Sequence, residues 1–258
     1  MYRVILLLVL VSVILFSVWI WYHPESVLIP LNLLYNTDPS PRTTFYTEID
    51  RNNIFPVGKE LESIWKDIKH EGYNLYELLI DKNYNYLDNY NINIGDENKK
   101  DWTTIPLRLF GNDVPEYINR CPIIMKILAS HPEIKSCLFS IMKPGKIIKP
   151  HVGPYDGLLR YQLALDIPAC SKYVDEIHDI CKLDECYLHV DGVKHHWIEG
   201  EGLMFDESNL HGAVNTTQKQ RMVLLIDIER PYYLLPYRLL NKIVIWSIGC
   251  LSNTKIYI

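Results

Sequence analysis

Apolar positions recur along this chain with different periods in different regions, and the period sets the expected element. From Glu60 onward, Leu61, Ile64, Trp65 and Ile68 fall three or four residues apart, which predicts an amphipathic helix packing on a sheet. Pro122 to Ala129 repeats the pattern in short form, with Ile123, Ile124 and Ile127 as its apolar face. After Ser136 the period changes. Leu138–Met142, Leu159–Ile167, Tyr187–Val190, Val193–Ile198, Gly202–Phe205 and Arg221–Ile228 read as short strands divided by turn residues. Asp191-Gly192 predicts a hairpin, because both central residues of a type I′ turn must take positive φ. Short strands without intervening helices predict a sandwich or barrel, so the expected fold is mainly β, a jelly-roll core with helical support.

Two stretches have no such period. Val4 to Tyr22 carries no charge and is dominated by Leu, Ile and Val, long enough to cross the roughly 30 Å apolar layer of a bilayer. Trp19, Trp21 and Tyr22 stand at its far end, where amphipathic rings favour the interface. A cleaved signal peptide would have a shorter apolar core and small residues at the cut; bulky aromatics and His23-Pro24-Glu25 follow instead. The stretch therefore reads as an uncleaved transmembrane helix. Arg3 precedes it and no Lys or Arg follows until Arg42, which leans toward a cytosolic N-terminus and a lumenal body in a single-pass membrane protein. Residues 81–100, rich in Asn, Tyr and Asp, read as a loop. The layout is an anchor over 1–22, a Pro- and Asn-rich linker over 23–44, a β-rich body over 45–231 and an apolar tail over 232–258 that reads as a helix. That helix either closes the domain or lies on a membrane.

The chain has 258 residues, 48% of them hydrophobic, with a net charge of -5 and no dense run of Lys or Arg, so an electrostatic nucleic-acid footprint is excluded. Lys143, Lys146 and Lys149 read either as a solvated strand edge or as an attractor for an anionic cosubstrate. Six cysteines include no Cys-x-x-Cys pair; in a lumenal body Cys170, Cys181 and Cys186 admit a disulfide. Those cysteines with His178 and His189 fit no standard zinc spacing. Asn215-Thr216-Thr217 is a formal glycosylation sequon four residues past His211. Neither a complete dinucleotide-binding glycine loop nor a Gly-x-Ser-x-Gly elbow is present.

The candidate chemistry lies in three residues. Non-haem Fe(II) oxygenases hold iron with two His and a carboxylate and leave the opposite positions open. His151 and His211 are the candidate metal ligands. Arg221 heads the apolar run Met222-Val223-Leu224-Leu225-Ile226, where an unpaired charge would be costly to bury. Its bidentate fork suits the distal carboxylate of a keto acid such as 2-oxoglutarate, unless it stays an exposed strand start.

Ser140-Ile141-Met142-x-Pro144-Gly145, Pro150-His151-x-Gly153-Pro154, Leu159-Arg160-x-x-Leu163-x-Leu165-x-Ile167-Pro168 and Phe205-Asp206-x-Ser208-x-x-His211 occur in that order. Together they resemble the aspartyl/asparaginyl β-hydroxylase family of 2-oxoglutarate dioxygenases over about residues 45–231. The stretch from Cys186 through Trp197, His211 and Arg221 to Pro231 is also similar to bacterial lipid A 2-hydroxylases of the same superfamily. The resemblance implies a double-stranded β-helix (cupin-like), with His151 and His211 on Fe(II), and with O2 and 2-oxoglutarate as cosubstrates. It further implies that Ser140 and Arg221 hold the distal carboxylate, with Trp102 and Arg160-Tyr161-Gln162 completing the pocket. Two positions depart from the relatives. Gly153 stands where most iron dioxygenases place the carboxylate ligand, a departure the peptidyl hydroxylases share, and Gln162 stands where both relatives have His. Asp156 is the alternative ligand, although Tyr155-Asp156-Gly157 reads as a turn. The implied substrate is the β-carbon of peptidyl Asp or Asn, with a lipid acyl chain as runner-up and a non-catalytic binding domain as the third reading.

Overall fold

The structure is a computed structural model that describes residues 25–40, 42–80, 101–117, 119–153, 155–169, 171–175 and 180–256. The proposed anchor and the loop over 81–100 lie outside these residues. Its helices are α1 (Glu25–Tyr35), α2 (Glu48–Ile54), α3 (Val57–Ser63), α4 (Trp65–Ile80), α5 (Pro122–Ser130) and α6 (Leu235–Ile256). The first strands are β1 (Trp102–Leu109), β2 (Asn112–Asp113), β3 (Ile134–Met142), β4 (Ile147–His151), β5 (Leu158–Asp166), β6 (Ser171–Asp175) and β7 (Ile180–Asp184). They are followed by β8 (Cys186–Val190), β9 (Val193–His195), β10 (Gly202–Phe205), β11 (His211–Asn215) and β12 (Arg221–Glu229).

Two antiparallel sheets make the core: β10-β5-β12-β3-β1-β2 and β4-β11-β8-β9, with β6 and β7 as a separate hairpin. From β3 onward, apart from the β6–β7 hairpin and with the β8–β9 hairpin kept in the smaller sheet, the chain alternates between the sheets in the order of a double-stranded β-helix, the jelly-roll arrangement expected of the pattern. The period of two then sorts side chains by face. Phe139, Ile141, Tyr161, Leu163, Leu224 and Ile226 leave the larger sheet outward and pack under α3, α4 and α5. Met142, Ala164, Leu203, Phe205 and Val223 point inward and meet Ile148, Leu188, Val190 and Ala213 of the smaller sheet. Burying each of the larger ones contributes about 1.5–3 kcal/mol.

Several expectations are revised. The predicted helix from Glu60 is two helices, divided at Ile64, whose φ of -119° caps α3. The linker contains α1, with Pro30 inside it, held down where Tyr35 stacks on Tyr232 at 4.7 Å. Strand β1 carries no sheet signature because Pro106 interrupts it; a register shift between Pro106 and Arg108 absorbs the missing donor. Strand β9 ends at His195 rather than Ile198. The hairpin at Asp191-Gly192 forms as predicted, with φ of 47° and 79°. The tail is helix α6. Among the described residues no helix is long and apolar enough to cross a membrane.

Candidate active site

Strands β4 and β11 pair so that His151 and His211 stand directly opposite each other, with ring centroids 4.4 Å apart. Each ring is oriented by its own strand. The Nδ1 of His151 lies 2.9 Å from the Lys149 carbonyl, and the Nδ1 of His211 lies 2.9 Å from the Asn209 carbonyl. A carbonyl only accepts, so each Nδ1 carries the proton and each Nε2 keeps a lone pair. Phe205 packs against the His211 ring at 5.3 Å. Burial, reinforced by the Arg160 cation, pushes the His211 imidazole down to about 3, and burial also lowers His151, so both rings are neutral at ordinary pH. The Nε2 of His211 is buried without a hydrogen-bond partner. Two neutral rings with free Nε2 atoms, one of them orphaned, fit a divalent first-row metal. Among the described residues no third His, Cys, Asp or Glu joins them.

Gly153 explains why a carboxylate does not arise there. A Cβ on it would stand 2.9 Å from both Cγ and the main-chain oxygen of Glu207. Glu207 therefore fills the space a ligand side chain at 153 would need. Its carboxylate reaches Arg160 at 2.5 Å, and burial pushes the Glu207 carboxyl up against the pull of that cation. Asp156 is no ligand either: Arg42 grips it through two bonds of 2.8 and 2.7 Å, and Arg230 approaches it at 3.1 Å while also bonding Asp206 at 2.5 Å.

Six positions along β12 from Asp227, the inter-sheet space holds Arg221. It is 2% exposed, yet its only hydrogen bonds among the described residues are Nη1 donating to the Ser140 carbonyl and hydroxyl at 3.3 and 3.2 Å. Its Nε has no partner, and among the described residues no carboxylate pairs with it. Burial pushes this guanidinium down to about 10, only partly offset by Cys186. The Trp197 ring lies 4.4 Å from it. Trp102 donates its indole N–H to the Ser140 hydroxyl at 2.9 Å, and Trp197 donates to the Gln162 oxygen at 3.0 Å, which leaves the Gln162 amide N–H groups as donors. Unpaired cation, hydroxyl and amide together make a receptor for an anion.

Of the predicted pocket residues, Ser140, Arg221, Trp102 and Gln162 thus form one cluster. Tyr161 does not join it. Its side chain leaves the other face of β5 and contacts the Gly58 carbonyl and Glu62 under the helices. Arg160 points inward, but Asp227 and Glu207 occupy its fork, Asp227 at 2.8 and 3.1 Å. The sequon is closed: Asn215 is fully buried and donates to the carbonyls of Met142, Lys143 and Lys219. Cys186 is a buried free thiol and joins no disulfide, while Cys170 lies outside the described residues. Sequence reasoning assigned no part to Glu207, Asp227 or Trp197; their signal is spatial, since each acts on a residue at least thirty positions away.

The profile of the aspartyl/asparaginyl beta-hydroxylase family matches residues 62–231. An ornithine lipid ester-linked acyl 2-hydroxylase of Rhizobium tropici is 35% identical over 130 residues, covering 50% of this chain and 42% of that protein. The human aspartyl/asparaginyl beta-hydroxylase is 27% identical over 201 residues, covering 74% of this chain and 22% of its own length. The chain thus spans less than half the length of either relative. A solved Cupin_2 domain of an XRE family transcriptional regulator from Enterobacter cloacae is 11% identical, with a TM-score of 0.32 over 50% of this chain and 98% of that one.

Proposed function

This chain belongs to the aspartyl/asparaginyl beta-hydroxylase family, and on that premise we propose that it is an Fe(II)- and 2-oxoglutarate-dependent hydroxylase. The observation that carries the reading is Arg221, a buried cation without an acid, in the same inter-sheet space as two imidazoles with free Nε2 atoms. Burying an isolated charge is expensive, so such a residue marks the seat of a buried anion.

His151 and His211 would hold the iron through Nε2, their Nδ1–H bonds fixing ring and tautomer. Iron with a bound keto acid and O2 supplies the oxidising power to place a hydroxyl on a C–H bond, while 2-oxoglutarate leaves as succinate and CO2. Arg221 and Ser140 would take the distal carboxylate, Arg221 supplying charge and Ser140 a hydroxyl that Trp102 orients. Gln162, its oxygen held by Trp197, turns N–H donors toward the cosubstrate, but it adds no charge where the relatives' His can. Arg160, matched by Glu207 and Asp227, sets the field beside the histidines and helps keep them neutral.

The favoured substrate is the β-carbon of a peptidyl Asp or Asn. Gly153, shared with peptidyl hydroxylases and filled from behind by Glu207, supports that assignment. The Rhizobium relative, whose name is that of a lipid acyl 2-hydroxylase, supports the lipid alternative. Purified protein with Fe(II), 2-oxoglutarate and an Asp/Asn-containing peptide should yield succinate and a peptide heavier by one oxygen, above a His211→Ala control. A hydroxylated acyl chain instead would move the assignment to lipid. No succinate with either substrate would leave the binding-domain reading standing.

A further inference from the structure

Helix α6 is apolar on both faces, and only one is covered. Leu240, Val244 and Ile245 turn inward and pack with Tyr35 of α1, Tyr155 and Tyr232. Leu235, Leu239, Ile243 and Trp246, at helical spacing, turn outward and are 53–70% exposed. Helix α1 repeats the arrangement: Leu28 and Leu31 pack inward, while Ile29 and Leu33 are 59% and 66% exposed. More than half of the large apolar side chains exposed on the described surface belong to these two helices or to the turn entering α6. Single exposed leucines are ordinary, but such a concentration marks a surface that something covers.

Charge and continuity identify the occupant. Helix α6 contains no acid, while Arg238 and Lys242 are exposed among its outward leucines, in a chain whose net charge is -5. Helix α1 begins three residues after the uncharged stretch Val4–Tyr22, so its exposed apolar face continues an apolar run. Over its described residues neither helix is long and apolar enough to cross a bilayer. Apolar residues flanked by cations, with Trp246 and Tyr233 exposed beside them, suit a helix lying in the headgroup region.

We propose that the outer faces of α1 and α6 dock on the surface of an anionic lipid bilayer. Leu239, Ile243 and Trp246 enter the boundary between headgroups and acyl chains, and Arg238 and Lys242 meet lipid phosphates. The same helices hold the turn that follows His151: the Asp156 N–H donates to the Asn32 side chain at 3.0 Å, and the Tyr155 hydroxyl donates to Asn241 at 2.5 Å. Docking therefore sets the position of the histidine pair relative to the membrane, and with it the substrates the site can reach.

The surface does not depend on the catalytic reading, and its test reads no turnover. The full chain is placed in phosphatidylcholine/phosphatidylglycerol vesicles with p-benzoylphenylalanine in place of Leu239, Ile243 or Trp246, irradiated, and analysed by mass. Ile49, 74% exposed on α2, is the control position. Lipid adducts at all three positions, several-fold above Ile49, are expected. The double variant Arg238→Glu/Lys242→Glu should lower their yield in the anionic vesicles and leave it unchanged in phosphatidylcholine alone. Adducts between two protein chains would give the face to a second copy and overturn the proposal. Lipid yields no higher than at Ile49 would overturn it as well.

Discussion

Near the histidine pair, buried and half-buried cations have met acids; six positions along β12 from Asp227, Arg221 has met none among the described residues. Arg160 is flanked by Asp227 and Glu207, and Arg42 and Arg230 share Asp156 and Asp206. Both groups are wholly or partly removed from water, so both bear a desolvation cost, yet only one offsets it within the fold. The matched network stabilises the protein and fixes the turn after His151. The unmatched Arg221 bears its desolvation cost alone, which is what the proposed anion site requires. Burial alone therefore does not distinguish a structural charge from a binding charge; the presence or absence of a partner does.

The contrast can be broken most severely at the proposed metal ligands. His211→Ala or His151→Ala should reduce succinate formation to the level without enzyme, measured under saturating Fe(II) and 2-oxoglutarate, because no third described residue can take over. Next come the two arginines, of whose variants only one should lose stability. Arg160→Met leaves Glu207 and Asp227 buried and unmatched and should cost about 3–5 kcal/mol by denaturant unfolding. Arg221→Met removes an unmatched charge, so the unliganded protein should melt at the same or a higher temperature. The same variant should lose about 2 kcal/mol or more of 2-oxoglutarate binding, roughly 30-fold, by calorimetry. If Arg221→Met instead destabilises like Arg160→Met, or leaves cosubstrate affinity unchanged, the contrast fails.

Smaller effects sharpen the same picture. Trp197→Phe keeps a ring over Arg221 but frees the Gln162 oxygen, and should weaken 2-oxoglutarate binding by about 1 kcal/mol, a single hydrogen bond. The smallest effect is on the acid limb of stability. Burial alone would raise Asp206, but its bond to Arg230 and that cation's charge hold its carboxyl below the usual range. The unfolded chain then takes the proton first, so stability present above about pH 4 is lost as the pH falls below it. Asp206→Asn should flatten that limb in a series of melts from pH 6 to pH 3.

The strands the sequence made legible are those with clean apolar runs, β3, β5, β10 and β12, and the hairpin that Asp191-Gly192 demands. The two strands that carry His151 and His211 were not legible as strands. β4 contains Pro150, and β11 reads His-Gly-Ala-Val-Asn, whose small residues carry little strand preference. His151 and His211 were found by motif, and the period that would have placed them opposite each other was hidden.

By itself, then, the sequence determined the family, the β-rich core, the histidine pair and an arginine at the head of an apolar strand. A period of two says that Arg160 and Tyr161 face opposite ways, but not which of them faces the cavity; only packing under α3 sent Tyr161 outward. Nor could the chain order show that Arg160 would find two acids and Arg221 none. Charge compensation acts through space, between residues as distant in sequence as Arg160 and Asp227, and is decided when the two sheets close on one another.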